Sequence, residues 1–196
     1  MALSPGKRRM LNMALYLLIG FVVLVVALTI VVSLRPNEFQ VSRSMKIDAP
    51  PEIVFPLVNQ FTAWEAWSPY EKLDPNMLKT LEGPAAGEGS VMRWSGNGKA
   101  GAGSTTIIQS EPNKSIEIDL QMTAPMACQN DVLFTFEPEG DSTIVTWSMS
   151  GKVNFMAKIF HLILNVDKMC GDQFTEGLTS LKEISEKEVA TPAATS

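Results

Sequence analysis

From Met10 to Leu34 the chain carries no charged residue, and its Leu, Ile, Val and Phe side chains leave no face of a helix polar. About 20 apolar residues cross the hydrocarbon core of a bilayer as a helix. At about −0.3 to −0.6 kcal/mol for each mid-membrane residue, the run favours the bilayer by roughly 5 kcal/mol or more. A cleaved secretory signal has a shorter apolar region, about 7–15 residues, ending at small side chains. This run is longer and ends Ile30-Val31-Val32-Ser33-Leu34. The pattern predicts a transmembrane helix over residues 11–34 after a short N-terminal segment, residues 1–10.

Beyond a linker at residues 35–38 the periodicity changes. Phe39, Val41, Met45 and Ile47 alternate with polar neighbours, which predicts a half-buried strand, with Arg43 on its apolar side. Asp48-Ala49-Pro50-Pro51-Glu52 opens a helix whose apolar face is Ile53, Val54, Leu57 and Val58. A second short helix carries Trp64 and Trp67 and stops at Ser68-Pro69. Short strands follow at residues 77–82, 90–95 and 104–110, between Gly-rich turns. Ile116, Ile118, Leu120 and Met122 alternate with Glu117, Asp119 and Gln121; Val132, Phe134 and Phe136 share one face, as do Val145, Trp147 and Met149. Such alternation suits an antiparallel sheet with one wet and one buried face, which leaves Glu117, Asp119 and Asp131 on the wet side. The last element reads as one helix of about 30 residues, its stripe running Phe155, Ile159, Leu162, Ile163, Val166, Cys170, Gly177, Leu181 and Ile184. The layout is α+β: a curved sheet of about seven strands around a long C-terminal helix, the domain covering residues 39–187 and a small, polar, disordered tail covering residues 188–196.

Charge sets the orientation and removes some functions. Lys7, Arg8 and Arg9 precede the apolar run and Arg35 alone follows it. The positive-inside rule then places the N-terminus in the cytoplasm and the domain in the periplasm or outside the cell, at a bacterial inner membrane. After Arg35 twelve Lys and Arg stand against 21 Asp and Glu, a net −9. That balance argues against nucleic acid and against docking on anionic lipid by charge alone. The four-residue linker reaches roughly 14 Å, which keeps the domain near the membrane surface. Cys128 and Cys170 could pair outside the cytoplasm, or serve as two small buried apolar residues.

Several segments recur together in a known order: Arg43-Ser44, Ala49 to Phe55, Trp64-Glu65-Ala66-Trp67-Ser68-Pro69, Trp94-Ser95-Gly96-Asn97, Val145 to Met149, Asn154 to Lys158 and Gly177 to Lys182. Together they resemble the SRPBCC superfamily, in its START-like, polyketide cyclase and lipid-transport branch, over about residues 38–187. The resemblance implies a helix-grip fold with a hydrophobic cavity between sheet and C-terminal helix, where members hold lipids, sterols or polyketides and some are enzymes. Function has to be argued from the site rather than from the fold.

The candidate chemistry is sparse. Gly96-Asn-Gly-Lys-Ala-Gly101 matches a dinucleotide fingerprint by letter, but a strand follows it, so it reads as a hairpin turn. His161 is the single histidine and lies on the polar side of the last helix; there is no C-x-x-C, and neither a metal nor a cofactor is expected. Trp64, Trp67, Trp94, Trp147, Met92, Met122, Met149, Phe155 and Ile159 are candidates to line a cavity, or alternatively fill the core. Arg43 and Asp167 are charges on apolar tracks; they either pair or face water in the cavity, and with Tyr70 they are the thin candidates for acid–base chemistry. Asn113-Lys114-Ser115 is a glycosylation sequon in a turn. The leading expectation is a membrane-tethered binding module for an apolar small molecule or lipid. The rivals are a polyketide cyclase or dehydratase-like enzyme, and a ligand-free interaction module in a membrane complex.

Overall fold

The computed structural model describes residues 5–155, 157–159 and 165–191. The chain separates into two compact units, one made of Met1–Asn37 with Val153–Leu164, the other of Glu38–Lys152 with Asn165–Ser196. In the first unit, α1 (Pro5–Ser33) contains the one helix long and apolar enough to cross a membrane among the described residues, Asn12–Ser33. Its side chains are exposed along nearly the whole span, as an apolar solvent requires. Where α1 ends, the Arg35 carbonyl accepts a hydrogen bond from Lys158 Nζ at 2.7 Å and the Asn37 carbonyl accepts one from the Val153 N–H.

The second unit is a seven-stranded antiparallel sheet with helices on one face. The strands are β1 (Glu38–Ile47), β2 (Leu78–Glu82), β3 (Val91–Ser95), β4 (Ala102–Glu111), β5 (Ser115–Ala124), β6 (Cys128–Glu139) and β7 (Ser142–Lys152), in the spatial order β1-β7-β6-β5-β4-β3-β2. Between β1 and β2 come α2 (Pro51–Asn59), a 3-10 turn (Phe61–Ala63), α3 (Trp64–Trp67) and a second 3-10 turn (Pro69–Leu73). The last helix is α4 (Val166–Ala190). The alternation of the strands is legible in the burial: Ile116 and Ile118 are buried while Asp119, on the opposite face, accepts hydrogen bonds from Gln121 and Gln129.

The single long final helix expected from the stripe of apolar positions is corrected here. α4 begins at Val166, and Asn165 caps it, its side chain accepting from the Lys168 N–H. An N-cap residue leaves helical geometry, and Asn165 does so with ψ 86°. Phe155 and Ile159 therefore belong to a separate segment in the first unit. His161, Leu162 and Ile163 lie outside the described residues.

α4 packs on β1 and β7 and on the α2–α3 segment. What lets it approach is the loss of side chains at two of its positions. A Cβ on Gly177 would sit 2.8 Å from Trp147 Cζ3 and 2.9 Å from Pro69 Cδ, and one on Gly171 would overlap the Arg43 guanidinium. Gly inside a helix costs about 1 kcal/mol relative to Ala, a cost offset here by the close packing it permits. Between the two glycines, Phe174 stacks on Trp147 with ring centroids 4.3 Å apart and planes 12° apart. Trp147 in turn meets Phe134 at 4.9 Å and Trp67 at 5.7 Å, and Trp67 meets Trp64 at 5.2 Å. Leu178 and Leu181 close the same layer.

Phe174→Ala removes the ring that joins α4 to the sheet; loss of a buried Phe costs about 3–5 kcal/mol. Urea unfolding of the detergent-solubilised full chain, followed by tryptophan fluorescence, should show a lower midpoint by a corresponding amount with an unchanged slope.

Candidate ligand-binding site

The helix-facing side of the sheet can be followed as rows of register partners. Arg43, Trp147, Phe134 and Ile116 form one row. The next is Val41, Met149, Val132, Ile118 and Ile107, followed by Phe39, Gly151, Asn130, Leu120, Thr105 and Met92. The outermost row is Cys128, Met122, Gly103 and Trp94. Burial declines along the rows on several strands together. On β5, Ile116 and Ile118 are fully buried while Leu120 and Met122 are half-exposed; on β6, Phe134 is buried and Cys128 is exposed; on β3, Met92 is buried and Trp94 half-exposed.

At this outer end several positions have no side chain. Gly101 and Gly103 lie at the start of β4 and Gly151 three strands away near the end of β7, and large neighbours lie over Gly103 and Gly151. The Trp94 indole rests on Gly103, with its Cη2 2.8 Å from where a Cβ would be, and its Nε1 donates to the Ala100 carbonyl at 3.1 Å. The Phe39 ring covers Gly151 in the same way. Gly101, with φ +65°, turns the β3–β4 hairpin, and its N–H donates to the Asn97 carbonyl. The segment Gly96–Gly101 is thus a turn stapled by Asn97, whose Oδ1 accepts from the Lys99 and Ala100 N–H groups.

The sequence-predicted residues divide into three groups. Trp64, Trp67 and Trp147 are buried in the aromatic layer beneath α2, α3 and α4; the indole N–H of Trp64 donates to the Val58 carbonyl and that of Trp67 to the Leu57 carbonyl. Met92, Trp94, Met122 and Met149 lie on the helix-facing rows, from the buried middle to the half-exposed end. Phe155 and Ile159 sit in the other unit. Neither cysteine is in a disulfide: Cys128 is exposed at the start of β6 and Cys170 half-buried on α4.

The two charges on apolar tracks pair with each other. Arg43 Nη1 and Nη2 donate to both carboxylate oxygens of Asp167, at 3.2 and 3.0 Å, and Nη2 also donates to the Asp167 carbonyl at 3.1 Å. The hydrogen bond with Asp167 raises Arg43 above its ordinary value, and the same bond holds the Asp167 carboxyl below its own. The clasp joins the first turn of α4 to β1 over Gly171. A second tie lies at the other sheet edge. Burial alone would lower Lys79, but hydrogen bonds to Glu65 and Glu71, at 2.6 and 2.7 Å, raise it instead. These bonds hold the α3 segment to β2.

Tyr70 is a partly buried titratable side chain beside the aromatic layer, its ring centroid 6.2 Å from that of Trp147. Burial, with a smaller effect from Cys170, pushes its hydroxyl well above the ordinary phenol value, and burial likewise raises the Cys170 thiol. Both are protonated at neutral pH, so Tyr70 offers a hydrogen bond rather than a base. Among the described residues, Trp147 Nε1, Thr105 Oγ1 and Ser68 Oγ are buried with no hydrogen-bond partner. The sequence pattern gave no sign of Thr105, Gly103 or Gly151, since none interrupts an apolar alternation, and it marked Ser68 only as a helix stop. No group of three or more His, Cys, Asp or Glu that could hold a metal occurs among the described residues.

The family model for polyketide cyclase / dehydrase and lipid transport matches residues 38–186, the whole sheet and nearly all of α4. The chain belongs to this family. Three solved structures are similar to this polyketide cyclase/dehydrase and lipid transport domain in fold. Protein CV1439 from Chromobacterium violaceum is 15% identical, with TM-score 0.54, covering 78% of this chain and 99% of that one. The Aha1 dimer from Colwellia psychrerythraea is 19% identical, with TM-score 0.53, covering 76% and 96%. The di-domain ARO/CYC BexL is 14% identical, with TM-score 0.58, covering 93% of this chain and 62% of that longer one. No curated protein matches the chain. At these identities the likeness is one of fold, the helix-grip arrangement.

Because the Arg43–Asp167 bond lowers Asp167 in the folded state, its contribution to stability is present above the unfolded carboxylate value, about 3.9, and is lost as pH falls through the lower folded value. Asp167→Asn should therefore melt below the parent at neutral pH, and the gap should close in scans carried progressively below pH 4.

Proposed function

We propose that the chain is a membrane-tethered binding module for a hydrophobic small molecule or lipid, held on the outer rows of the helix-facing side of the sheet. The observation that carries this reading is the loss of burial on β3 and β5, and at Cys128 on β6, toward one end of a face that keeps Leu120, Met122 and Trp94 apolar beside the buried Thr105 and Asn130. A core that simply ended at the surface would turn polar there, because exposed apolar area costs about 25 cal/mol per Å². The aromatic layer forms the floor of the site rather than its cavity.

The unpartnered groups support a ligand with oxygen in it. A buried donor left unpaired costs about 1–3 kcal/mol. The Trp147 indole N–H can only donate, and Thr105 Oγ1 can donate or accept. Thr105 Oγ1, in the row of Leu120, can be satisfied by a ligand carbonyl, hydroxyl or carboxyl oxygen or by an ordered water, whereas the Trp147 N–H lies within the filled aromatic layer. The protonated Tyr70 and Cys170 favour binding over acid–base catalysis, since neither supplies a base at neutral pH. Asp167 is held by Arg43 and is largely exposed.

The apolar helix is the tether, with the N-terminus cytoplasmic and the domain on the periplasmic or outer side, as the three basic residues before the span and the one after it favour.

The full chain, purified in nanodiscs and extracted with organic solvent, should release one apolar species in near-stoichiometric amount by mass spectrometry. Leu120→Trp fills the outer row and should reduce that yield at least tenfold with the melting temperature within a few degrees of the parent. Extracts that match protein-free nanodiscs in every preparation would contradict the reading.

A further inference from the structure

The row of the sheet that holds Leu120 reverses the usual order of burial. Register places Asn130 on β6, Leu120 on β5 and Thr105 on β4 side by side, on the helix-facing side. Asn130 is 8% exposed and Thr105 6%, while the leucine between them is half-exposed. Polar side chains are ordinarily the last to be buried. A leucine left open between two covered polar residues is the arrangement expected where a molecule from outside, rather than the chain's own core, lies on it.

Neither polar group is satisfied from within the chain. Thr105 Oγ1 has no hydrogen-bond partner among the described residues. The Asn130 amide makes one long contact, from Nδ2 to Cys128 Sγ at 3.7 Å, and its Oδ1 lies over the bare backbone of Gly151. A threonine hydroxyl can donate or accept, and a carboxamide can do both. Neighbouring strands lie about 4.8 Å apart, so the two residues stand about 10 Å apart with Leu120 midway. The cations that border these rows are already held. Arg43 is bound to both oxygens of Asp167, and Lys79, the register partner of Trp94, lies between Glu65 and Glu71. An ionised head group on the Leu120 row would meet no free cation among the residues of these rows, and a charge buried without a partner is costly.

We propose that Thr105 and Asn130 determine the specificity of the site, selecting a neutral apolar molecule with oxygen at two points about 10 Å apart, a diol or hydroxyketone rather than an ionised fatty acid. The proposal rests on the binding reading above and adds the chemistry of the ligand to it. Thr105 meets one oxygen through its hydroxyl, which reaches toward Leu120 by rotation about χ1. Asn130 meets the other through its amide. The apolar middle of the ligand covers Leu120.

The test compares the full chain with its Thr105→Val variant, which keeps the shape of the side chain and removes the hydroxyl. Both are labelled with ¹³C-methyl methionine, held in phosphatidylcholine nanodiscs and titrated with α,ω-octanediol, octanol or octanoate above neutral pH, affinity being read from the shift of the Met122 ε-methyl resonance. Each probe partitions equally into the lipid of the two samples, so partition cancels in the ratio of affinities. The diol should bind the parent about five- to tenfold more tightly than the variant, which is what one hydrogen bond contributes. Octanol, whose single hydroxyl can still turn to Asn130, should lose little, and octanoate should bind the parent least. Without a probe the variant should melt at or above the parent, because it deletes an unpaired buried hydroxyl. A diol affinity equal in the two chains, octanoate binding as tightly as the diol, or a variant that melts well below the parent would overturn this proposal and leave the binding reading standing. A Met122 resonance that none of the three probes shifts would remove the binding reading and this proposal with it.

Discussion

The stack of Phe174 on Trp147 fixes how much of the sheet the last helix can cover. A curved antiparallel sheet with one apolar face must bury that face, and α4 does so along β1 and β7, where two glycines let it come close. The indoles of Trp64 and Trp67, held by carbonyls of α2, fill the adjoining space. Beyond this layer burial falls at Leu120, Met122 and Trp94, while the Trp94 indole and the Phe39 ring lie over Gly103 and Gly151. The same contact thus lies on the fully buried half of this face, next to a half that is only partly buried.

The two ion-pair ties lie at opposite margins of that interior. Arg43 and Asp167 bind the start of α4 to the edge strand β1, while Lys79 with Glu65 and Glu71 binds the α3 segment to the other edge, β2. Partly exposed pairs contribute modestly to stability. Their role is geometric: they fix the covering helices against the two edge strands. β1 is both the strand that α4 packs on and the strand that follows α1 and its linker in the chain.

Much of this was legible in the residues. Period-two alternation located β5, β6 and β7 because each has one wet face, and Ser68-Pro69 marked the end of α3. The pairing of Arg43 with Asp167 was one of two outcomes that the cost of burying a charge allowed. The start of α4 was misread because a helical wheel extends any apolar stripe through an N-cap, and Asn165 stands on no apolar position. Gly177 stood in the apolar stripe and Gly171 was not singled out; their value appears only once Trp147 and Arg43 are placed across from them. Which rows lose burial could not be read: Met122 and Trp94 were candidates to line a cavity alongside the buried Trp67 and Trp147, and only the reach of the covering helices separates the buried row of Ile116 from the half-exposed one of Met122.

That separation can be observed directly. In the full chain labelled with ¹³C-methyl methionine and held in nanodiscs, a doxyl-labelled fatty acid added to the bilayer should broaden the Met122 ε-methyl resonance strongly and leave that of Met45, on the closed half of the sheet, nearly unchanged. Equal broadening of the two methyls, or none at Met122, would contradict the claim that one end of this face is open to an apolar ligand.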